Sequence, residues 1–163
     1  MTSLPSPLVL VSSVVELRRA RFKDLGAIVR LLADDQLGQA REETGADADL
    51  EPYRRAFDLI DADPAQLLVV ATADEVVGVM QLSFIPGLAR RGALRAQIEA
   101  VRIHGGYRSQ GLGTAMFQWA FAEAQRRGCT LVQLTTDKTR ADAHRFYSRL
   151  GFVASHDGLK MIL

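Results

Sequence analysis

The chain has 163 residues, of which 48% are hydrophobic and 24% are charged, and its formal net charge is +1. This length and composition fit one soluble globular domain, and the near balance of charge disfavours a nucleic-acid binder that gains affinity by neutralising phosphates. The single cysteine, Cys129, excludes an internal disulfide, so we expect a reducing, cytoplasmic environment.

The N-terminal segment, residues 1–13, is expected to be a flexible tail ahead of the domain at residues 14–163. Its apolar run, Leu8–Val11, is short, follows two prolines and lacks the basic flank of a secretory signal. No stretch of the sequence approaches the roughly 20 apolar residues that a membrane-spanning helix needs. We therefore expect no association with a membrane.

The first half of the chain predicts a strand, two helices and then a run of strands. Apolar residues recur at helical spacing in the two helices, and β-branched residues dominate the strands. The turn-like Ala73–Glu75 predicts an antiparallel hairpin between the second and third strands. The predicted elements are a strand at Val14–Ala20, helices at Asp24–Asp35 and Leu50–Ile60 around a loop at Gly38–Leu50, and strands at Gln66–Ala73, Val76–Ile85 and Arg95–Ile103.

The second half alternates helices and strands, which predicts a right-handed crossover and parallel pairing. Gly128 and Gly151 follow helical patterns and are predicted to be left-handed C-terminal caps. The expected fold is α/β with a mixed sheet, antiparallel in its first half and part-parallel in its second. The elements are helices at Gly111–Gly128 and Arg140–Gly151 and strands at Cys129–Thr136 and Phe152–Leu163.

A glycine-rich segment precedes the helix at Gly111. A P-loop would need a lysine before Thr114, and a dinucleotide fingerprint that starts at Gly111 would need glycine at Met116, so neither motif is present. Two interpretations remain. Small residues in the first helical turn expose N–H groups to an anion, or they let a strand turn tightly into a close-packed helix.

Two segments in the second half carry recognisable motifs, "RSQGLGTAM" at Arg108–Met116 and "ADAHRFYSRLGF" at Ala141–Phe152. The first is similar to an R/Q-x-x-G-x-G/A motif and the second to an A-x-x-F-Y-x-x-x-G-F motif. Together they resemble the GNAT superfamily of acyl-CoA-dependent N-acetyltransferases, in which these two motifs occur in this order. The resemblance implies a single GNAT-like domain. It also implies a bulge that splays the strands "QIEAVRI" and "LVQLTT", so that the thioester enters the gap between them.

The resemblance implies acetyl-CoA as the acyl-donor cosubstrate. No metal is expected, because the spacing of the histidines and the cysteine is unlike that of a zinc site. The pantetheine arm would pair with the backbone of Val101, Arg102 and Ile103, as an added strand does. Arg140 departs from the asparagine that the family often has there, and it could reach a phosphate instead. The pyrophosphate would be held by the backbone of the glycine-rich segment, namely Arg108, Ser109, Gln110, Gly111, Leu112, Gly113 and Thr114.

Two catalytic residues are expected. The family pattern selects Tyr147, whose hydroxyl can protonate the departing thiolate, although a packed helix tyrosine is the alternative. Strand alternation places Glu99 on one face with Gln97, Val101 and Ile103. As a partly buried carboxylate with a raised pKa it would act as the general base, although a solvated edge residue is the alternative. Backbone N–H groups at the bulge, such as that of Val101, would polarise the carbonyl.

The other polar residues do not predict a specific catalytic or metal site. His104, His144, His156 and Cys129 have no zinc-like spacing, and Cys129 is expected to be a small buried hydrophobe. A basic loop contains Arg90, Arg91 and Arg95, which would either attract an acidic substrate or remain solvated.

The predicted function is therefore acetyl transfer from acetyl-CoA to a primary amine of an unidentified acceptor, for which a small molecule is preferred. An amino acid, an antibiotic and a protein N-terminus stay open, because the segments that set specificity carry no motif that identifies the acceptor. The alternative is a non-catalytic acyl-CoA-binding sensor or assembly module on the same fold. A nucleotide-binding regulator is disfavoured by the missing lysine and the missing third glycine. Neither nucleic acid nor membrane is an expected partner, and a homodimer through the sheet edge or last strand is compatible with a domain of this size.

Overall fold

The computed structural model describes residues 8–9, 14–34 and 49–163. Within these ranges the strands form one sheet in chain order, antiparallel from β1 to β5 and parallel between β5 and β6. The mixed sheet predicted from the sequence is confirmed. The strands are β1 (Leu8–Val9), β2 (Val14–Arg19), β3 (Gln66–Thr72), β4 (Val76–Pro86), β5 (Leu94–Ile103) and β6 (Leu131–Leu134).

Helices cover both faces of this sheet. The helix α1 lies over β4 and β5, α2 lies over β3, and α4 lies on the opposite face. No helix in the described ranges has both the length and the apolar character to cross a bilayer. The helices are α1 (Leu25–Ala33), α2 (Glu51–Ala62), the single turn α3 (Ala89–Gly92), α4 (Leu112–Arg126) and α5 (Ala141–Arg149), with short 3₁₀ turns at Phe22–Asp24 and Gly105–Tyr107.

The central strands are apolar on both faces because each face has its own core. In β3, Leu67 and Val69 pack into the core beneath α4, whereas Leu68 and Val70 pack beneath α1 and α2. All four side chains are buried. A strand covered on both sides needs this continuous apolar run, which is why its sequence shows no polar alternation.

The ends of α4 and α5 are closed by the two predicted capping glycines. Gly128 and Gly151 have φ values of 81° and 92°. The next residue in each case donates back to the last turn, from the Cys129 N–H to the Ala124 carbonyl at 2.9 Å and from the Phe152 N–H to the Tyr147 carbonyl at 3.1 Å. The second of these bonds fixes the chain around Tyr147.

The entry into α1 is held by a partly buried ion pair. Arg18 donates from both terminal nitrogens to the Asp24 carboxylate, at 2.7 and 2.9 Å, and the Arg21 N–H donates to it at 2.8 Å. The hydrogen bond from Arg18 holds the pKa of the Asp24 carboxyl below its usual value, against the opposing effect of burial.

The predicted strand at Phe152–Leu163 is wrong, because the structure assigns this segment no regular element. Phe152 packs into the core, but the side chains after it are exposed. The small and polar residues 154–158 bury too little apolar area to offset the entropy of ordering a strand.

Of the predicted tail, the structure describes Leu8–Val9, which pairs with Val14 and Val15. The rest of that tail, and the predicted loop as far as residue 48, lie outside the described residues.

Candidate active site

The parallel strands β5 and β6 separate halfway along β5. Their pairing runs from Arg95 with Leu131 to Ile98 with Leu134, where β6 ends. The strand β5 continues to Ile103, so its backbone from Glu99 onward has no partner in β6. The splay implied by the resemblance is therefore present, and it leaves a gap beside the second half of β5.

A bulge in β5 lies at the start of this gap. Glu99 pairs with Gln81 of β4, but the next pair along joins Arg102 to Val79, so Ala100 and Val101 stand opposite Met80 alone. Ala100 has a φ of 54°, in the left-handed region that residues with a Cβ rarely adopt. Backbone strain of this kind concentrates at functional sites.

The bulge corrects one prediction about Glu99. Because an extra residue reverses the alternation of side chains, Val101 and Ile103 pack into the core beneath α4, whereas Glu99 lies on the opposite face with Gln97. Glu99 is also exposed rather than partly buried. The expected sharing of one face by Glu99, Val101 and Ile103 is wrong.

Glu99 belongs to a polar surface that the sequence analysis missed. Its members lie on the α1 side of four neighbouring strands, and short side-chain hydrogen bonds join most of them. Gln133 donates to Gln97 at 2.6 Å, and Ser83 and Gln81 donate to Gln66 at 2.7 and 3.2 Å. Polar residues at alternating positions in β4 and β5 were the available signal. We call this set the polar face: Gln66, Gln81, Ser83, Gln97, Glu99 and Gln133.

The N-terminus of α4 presents backbone donors. Gly111 is its N-cap, and the first bond within the helix runs from the Ala115 N–H to the Gly111 carbonyl at 3.0 Å. The N–H groups of Leu112, Gly113 and Thr114 therefore have no acceptor inside the helix, and the helix dipole makes this end attractive to an anion.

The two glycines of this turn serve different purposes. Gly111 has a φ of 87° with open space around its missing side chain, so an approaching group meets only backbone. At Gly113 a Cβ would lie 3.1 Å from Ile103 Cδ1 and 3.3 Å from Phe146 Cζ. Glycine is therefore needed at Gly113 because neighbouring side chains leave no room for a Cβ. At Gly111 it instead allows a positive φ and leaves the backbone open to an approaching group.

Arg108 ties the loop before α4 to the end of α1. Its Nε donates to the Ile103 carbonyl at 3.0 Å, and its Nη2 donates to the carboxylate of Asp34 at 3.2 Å and to its carbonyl at 3.4 Å. The guanidinium is thus engaged with protein groups at the end of β5. Sequence reasoning missed Asp34 because the contact joins residues 74 positions apart.

Tyr147 packs among aromatic rings beside the bulged strand. Its ring centroid lies 5.6 Å from that of Phe117 and 6.0 Å from that of Phe152, in the core that also contains Val101. Burial raises the pKa of the Tyr147 hydroxyl, and the charges of Arg102 and Arg140 partly oppose this shift. Tyr147 therefore shares a core with Val101 and Ile103, the residues of β5 that lie beyond the end of β6.

The described histidine, cysteine and acidic side chains do not cluster as metal ligands. Within residues 14–34 and 49–163, no group of three or more His, Cys, Asp or Glu side chains is arranged to hold a metal ion. Cys129 is half-buried, and burial raises the pKa of its thiol.

The match to a family model decides the classification. The model of the acetyltransferase (GNAT) family matches residues 28–152. The chain belongs to the GNAT acetyltransferase family. A protein of Salmonella typhimurium strain LT2 named aminoalkylphosphonate N-acetyltransferase is 30% identical to this acetyltransferase over 148 residues, which is 90% of each chain.

Solved structures share the fold of this chain. A crystal structure from Bacillus halodurans C-125, described as a transcriptional regulator, is 47% identical with a TM-score of 0.87 and covers 91% of this acetyltransferase and 99% of that chain. An acetyltransferase from Trypanosoma brucei is 26% identical with a TM-score of 0.71, over 91% of this chain and 99% of its own. The fold and class predicted from the sequence are confirmed, and the protein is an acetyl-CoA-dependent N-acetyltransferase.

Proposed function

We propose that this acetyltransferase transfers the acetyl group of acetyl-CoA directly to the primary amine of a small molecule. The observation that carries the proposal is the gap between β5 and β6. Glu99 lies at its start, and the β5 residues beyond it, Val101 and Ile103, share a core with Tyr147. The name of the Salmonella relative supports a small amine as the acceptor class.

The proposed cofactor site consists of two backbone segments, one in β5 and one at the N-terminus of α4. Val101, Arg102 and Ile103 lie in the part of β5 that β6 does not pair with, so their backbone is placed to bond the amides of a pantetheine arm. The residues from Arg108 to Thr114 lead into the α4 N-terminus, whose unpaired N–H groups suit a pyrophosphate. Bound acetyl-CoA supplies an activated thioester carbonyl and a thiolate leaving group.

Glu99 is proposed to accept the proton of the incoming ammonium. Only the neutral amine has a lone pair to attack a carbonyl carbon, so a base must remove that proton before or during attack. Because Glu99 is exposed, the proton reaches its carboxylate directly or through one ordered water. The backbone N–H groups at the bulge would polarise the carbonyl under attack.

Tyr147 is proposed to donate the proton that the departing thiolate takes up. Burial favours the neutral phenol, so the hydroxyl remains protonated at neutral pH and above. The positive charges of Arg102 and Arg140 stabilise the phenolate that the donation leaves behind. Tyr147 is then reprotonated from solvent after the thiol departs.

A paired measurement tests this proposal. Isothermal titration measures acetyl-CoA binding, and a panel of primary amines is screened for release of free CoA thiol. We expect binding, and CoA release that depends on one class of small amine. Binding without amine-dependent release would instead support the non-catalytic module. Failure to bind at millimolar acetyl-CoA would exclude both.

A further inference from the structure

Arg95 carries an unsatisfied donor on the face of the sheet that holds Glu99. It lies in β5, opposite Ile85 of β4 and Leu131 of β6. Its Nε–H is buried and has no hydrogen-bond acceptor, and its guanidinium has no ion pair within the described ranges of the chain. A buried donor left without an acceptor costs about 1–3 kcal/mol. Because protein atoms cover the Nε–H itself, a ligand would reach the terminal nitrogens of the guanidinium, which have no acceptor within the described ranges.

The polar face connects Arg95 to the proposed site of acetyl transfer. Ala96 and Ile98 point into the core beneath α4, so Arg95, Gln97 and Glu99 point to the other side. Gln97 lies between them, is 9% exposed and accepts the hydrogen bond from Gln133. Four residues along an extended strand separate the Cα atoms of Arg95 and Glu99 by about 13 Å.

The chemistry of a guanidinium defines what would bind there. Its planar array of N–H donors matches the oxygens of a carboxylate, phosphonate or phosphate, and it accepts nothing in return. The guanidinium lies beside the chain at Gly87, where a Cβ would stand 3.7 Å from Arg95 Nη1. The neighbouring Arg90 and Arg91 are exposed. They add positive charge, but unlike Arg95 they have no buried N–H group that lacks an acceptor.

We propose that Arg95 binds an anionic group on the acceptor, so that this acetyltransferase acts on amines joined by an extended chain to a carboxylate, phosphonate or phosphate. The inference rests on the proposed function, because it assumes that the amine is acetylated beside Glu99. An α-amino acid is too short to meet both residues. Arg95 is a specificity-determining residue and takes no part in the chemical step.

Matched substrates test the proposal. The kcat/KM is measured for ω-aminoalkanoates and ω-aminoalkylphosphonates of increasing chain length, and for the corresponding neutral ω-aminoalkanamides. In the wild type we expect the long anionic amines to exceed the amides by about tenfold, which corresponds to about 1.4 kcal/mol. In Arg95→Gln the value for the anionic amine falls to that of the amide in the same variant. Arg91→Gln, a control for the loop's charge, keeps the preference.

Three kinetic results would overturn the assignment. These are a wild type without any preference for the anion, a preference that survives in Arg95→Gln, and a preference that Arg91→Gln abolishes equally.

A binding readout separates this assignment from the proposed function. With ¹⁵N-labelled protein, an ω-aminoalkanoate should shift the Arg95 Nε–H resonance, identified by its loss in Arg95→Gln, even when no amine is acetylated. No shift up to the solubility limit of the ligand would remove Arg95 from acceptor binding.

Discussion

Gly113 lies against Phe146 so closely that a Cβ at position 113 would stand 3.3 Å from Phe146 Cζ. Ile103 Cδ1 lies on the same side at 3.1 Å. One glycine therefore lets the N-terminus of α4 rest directly on the end of β5 and on α5. Both segments that resembled the family thus meet at a single packing contact.

Replacing this glycine should destabilise the fold. Gly113→Ala gains up to about 1 kcal/mol of helix propensity but overpacks neighbours at a cost of about 1–3 kcal/mol, so we expect a net loss near 1 kcal/mol. Phe146 cannot give way easily because it packs against Phe117 at 5.6 Å. Urea unfolding measures the change. Gly105→Ala is the control, since nothing lies within 4 Å of its missing Cβ. Equal stability of the two variants would contradict the packing account.

Loss of the Tyr147 hydroxyl should slow turnover. We expect Tyr147→Phe to lower kcat by about 10²-fold or more, with little change in the affinity for acetyl-CoA, because a general acid acts in the transition state. Tyr53→Phe, in α2, is the control. Unchanged turnover in an assay limited by chemistry would remove Tyr147 from the mechanism.

The same residue should show a late phenol titration. Because burial raises its pKa, the phenolate of Tyr147 should form at higher pH than that of an ordinary tyrosine, which titrates near 10. The ultraviolet absorbance of the native protein measures this. The late phase should be absent in Tyr147→Phe, and its persistence there would assign it to another tyrosine.

Loss of the Glu99 carboxylate should slow the reaction. Glu99→Gln removes a base, so kcat/KM should fall by about 10²-fold. Glu75→Gln removes an exposed carboxylate from the hairpin turn and should leave kcat/KM unchanged. A kcat/KM of Glu99→Gln equal to that of the wild type would place the proton acceptor elsewhere.

The ion pair of Asp24 with Arg18 predicts a dependence of stability on pH. The hydrogen bond from Arg18 lowers the folded-state pKa of Asp24, so its contribution is present above the unfolded value near 4 and is lost as pH falls through the folded value. At pH 7 we expect Asp24→Asn to cost about 2 kcal/mol of unfolding free energy.

Urea unfolding across the acidic range measures how the stabilisation by Asp24 depends on pH. The difference between the wild type and Asp24→Asn should narrow below about pH 4. Asp61→Asn breaks the exposed pair with Arg19 and should cost no more than about 1 kcal/mol. A difference that stays constant down to pH 2 would show that Asp24 does not titrate as described.

Local patterns predicted most of the fold. Helical spacing gave α1, α2, α4 and α5, and the capping positions of Gly128 and Gly151 are visible in the sequence because few other residues tolerate positive φ. The predicted C-terminal strand failed because apolar residues favour a strand only when a neighbour covers them, and that neighbour cannot be read from the segment itself.

The site was predictable only in part. Strict alternation along β5 misplaces Glu99 relative to Val101, because the bulge at Ala100 depends on pairing with β4, which lies about twenty residues earlier in the chain. The contact of Arg108 with Asp34 and the bonds of the polar face likewise join distant segments. Position along the sequence does not encode these contacts, so they needed the folded chain.

Mass spectrometry of the reaction product tests the proposed activity most directly. The protein is incubated with acetyl-CoA labelled in its acetyl group and with the primary amines of the screen, alongside Tyr147→Phe. We predict a labelled N-acetyl product that forms together with free CoA at equal molar amounts and far more slowly in the variant. CoA release without any acetylated amine, or equal product formation by both proteins, would contradict the account.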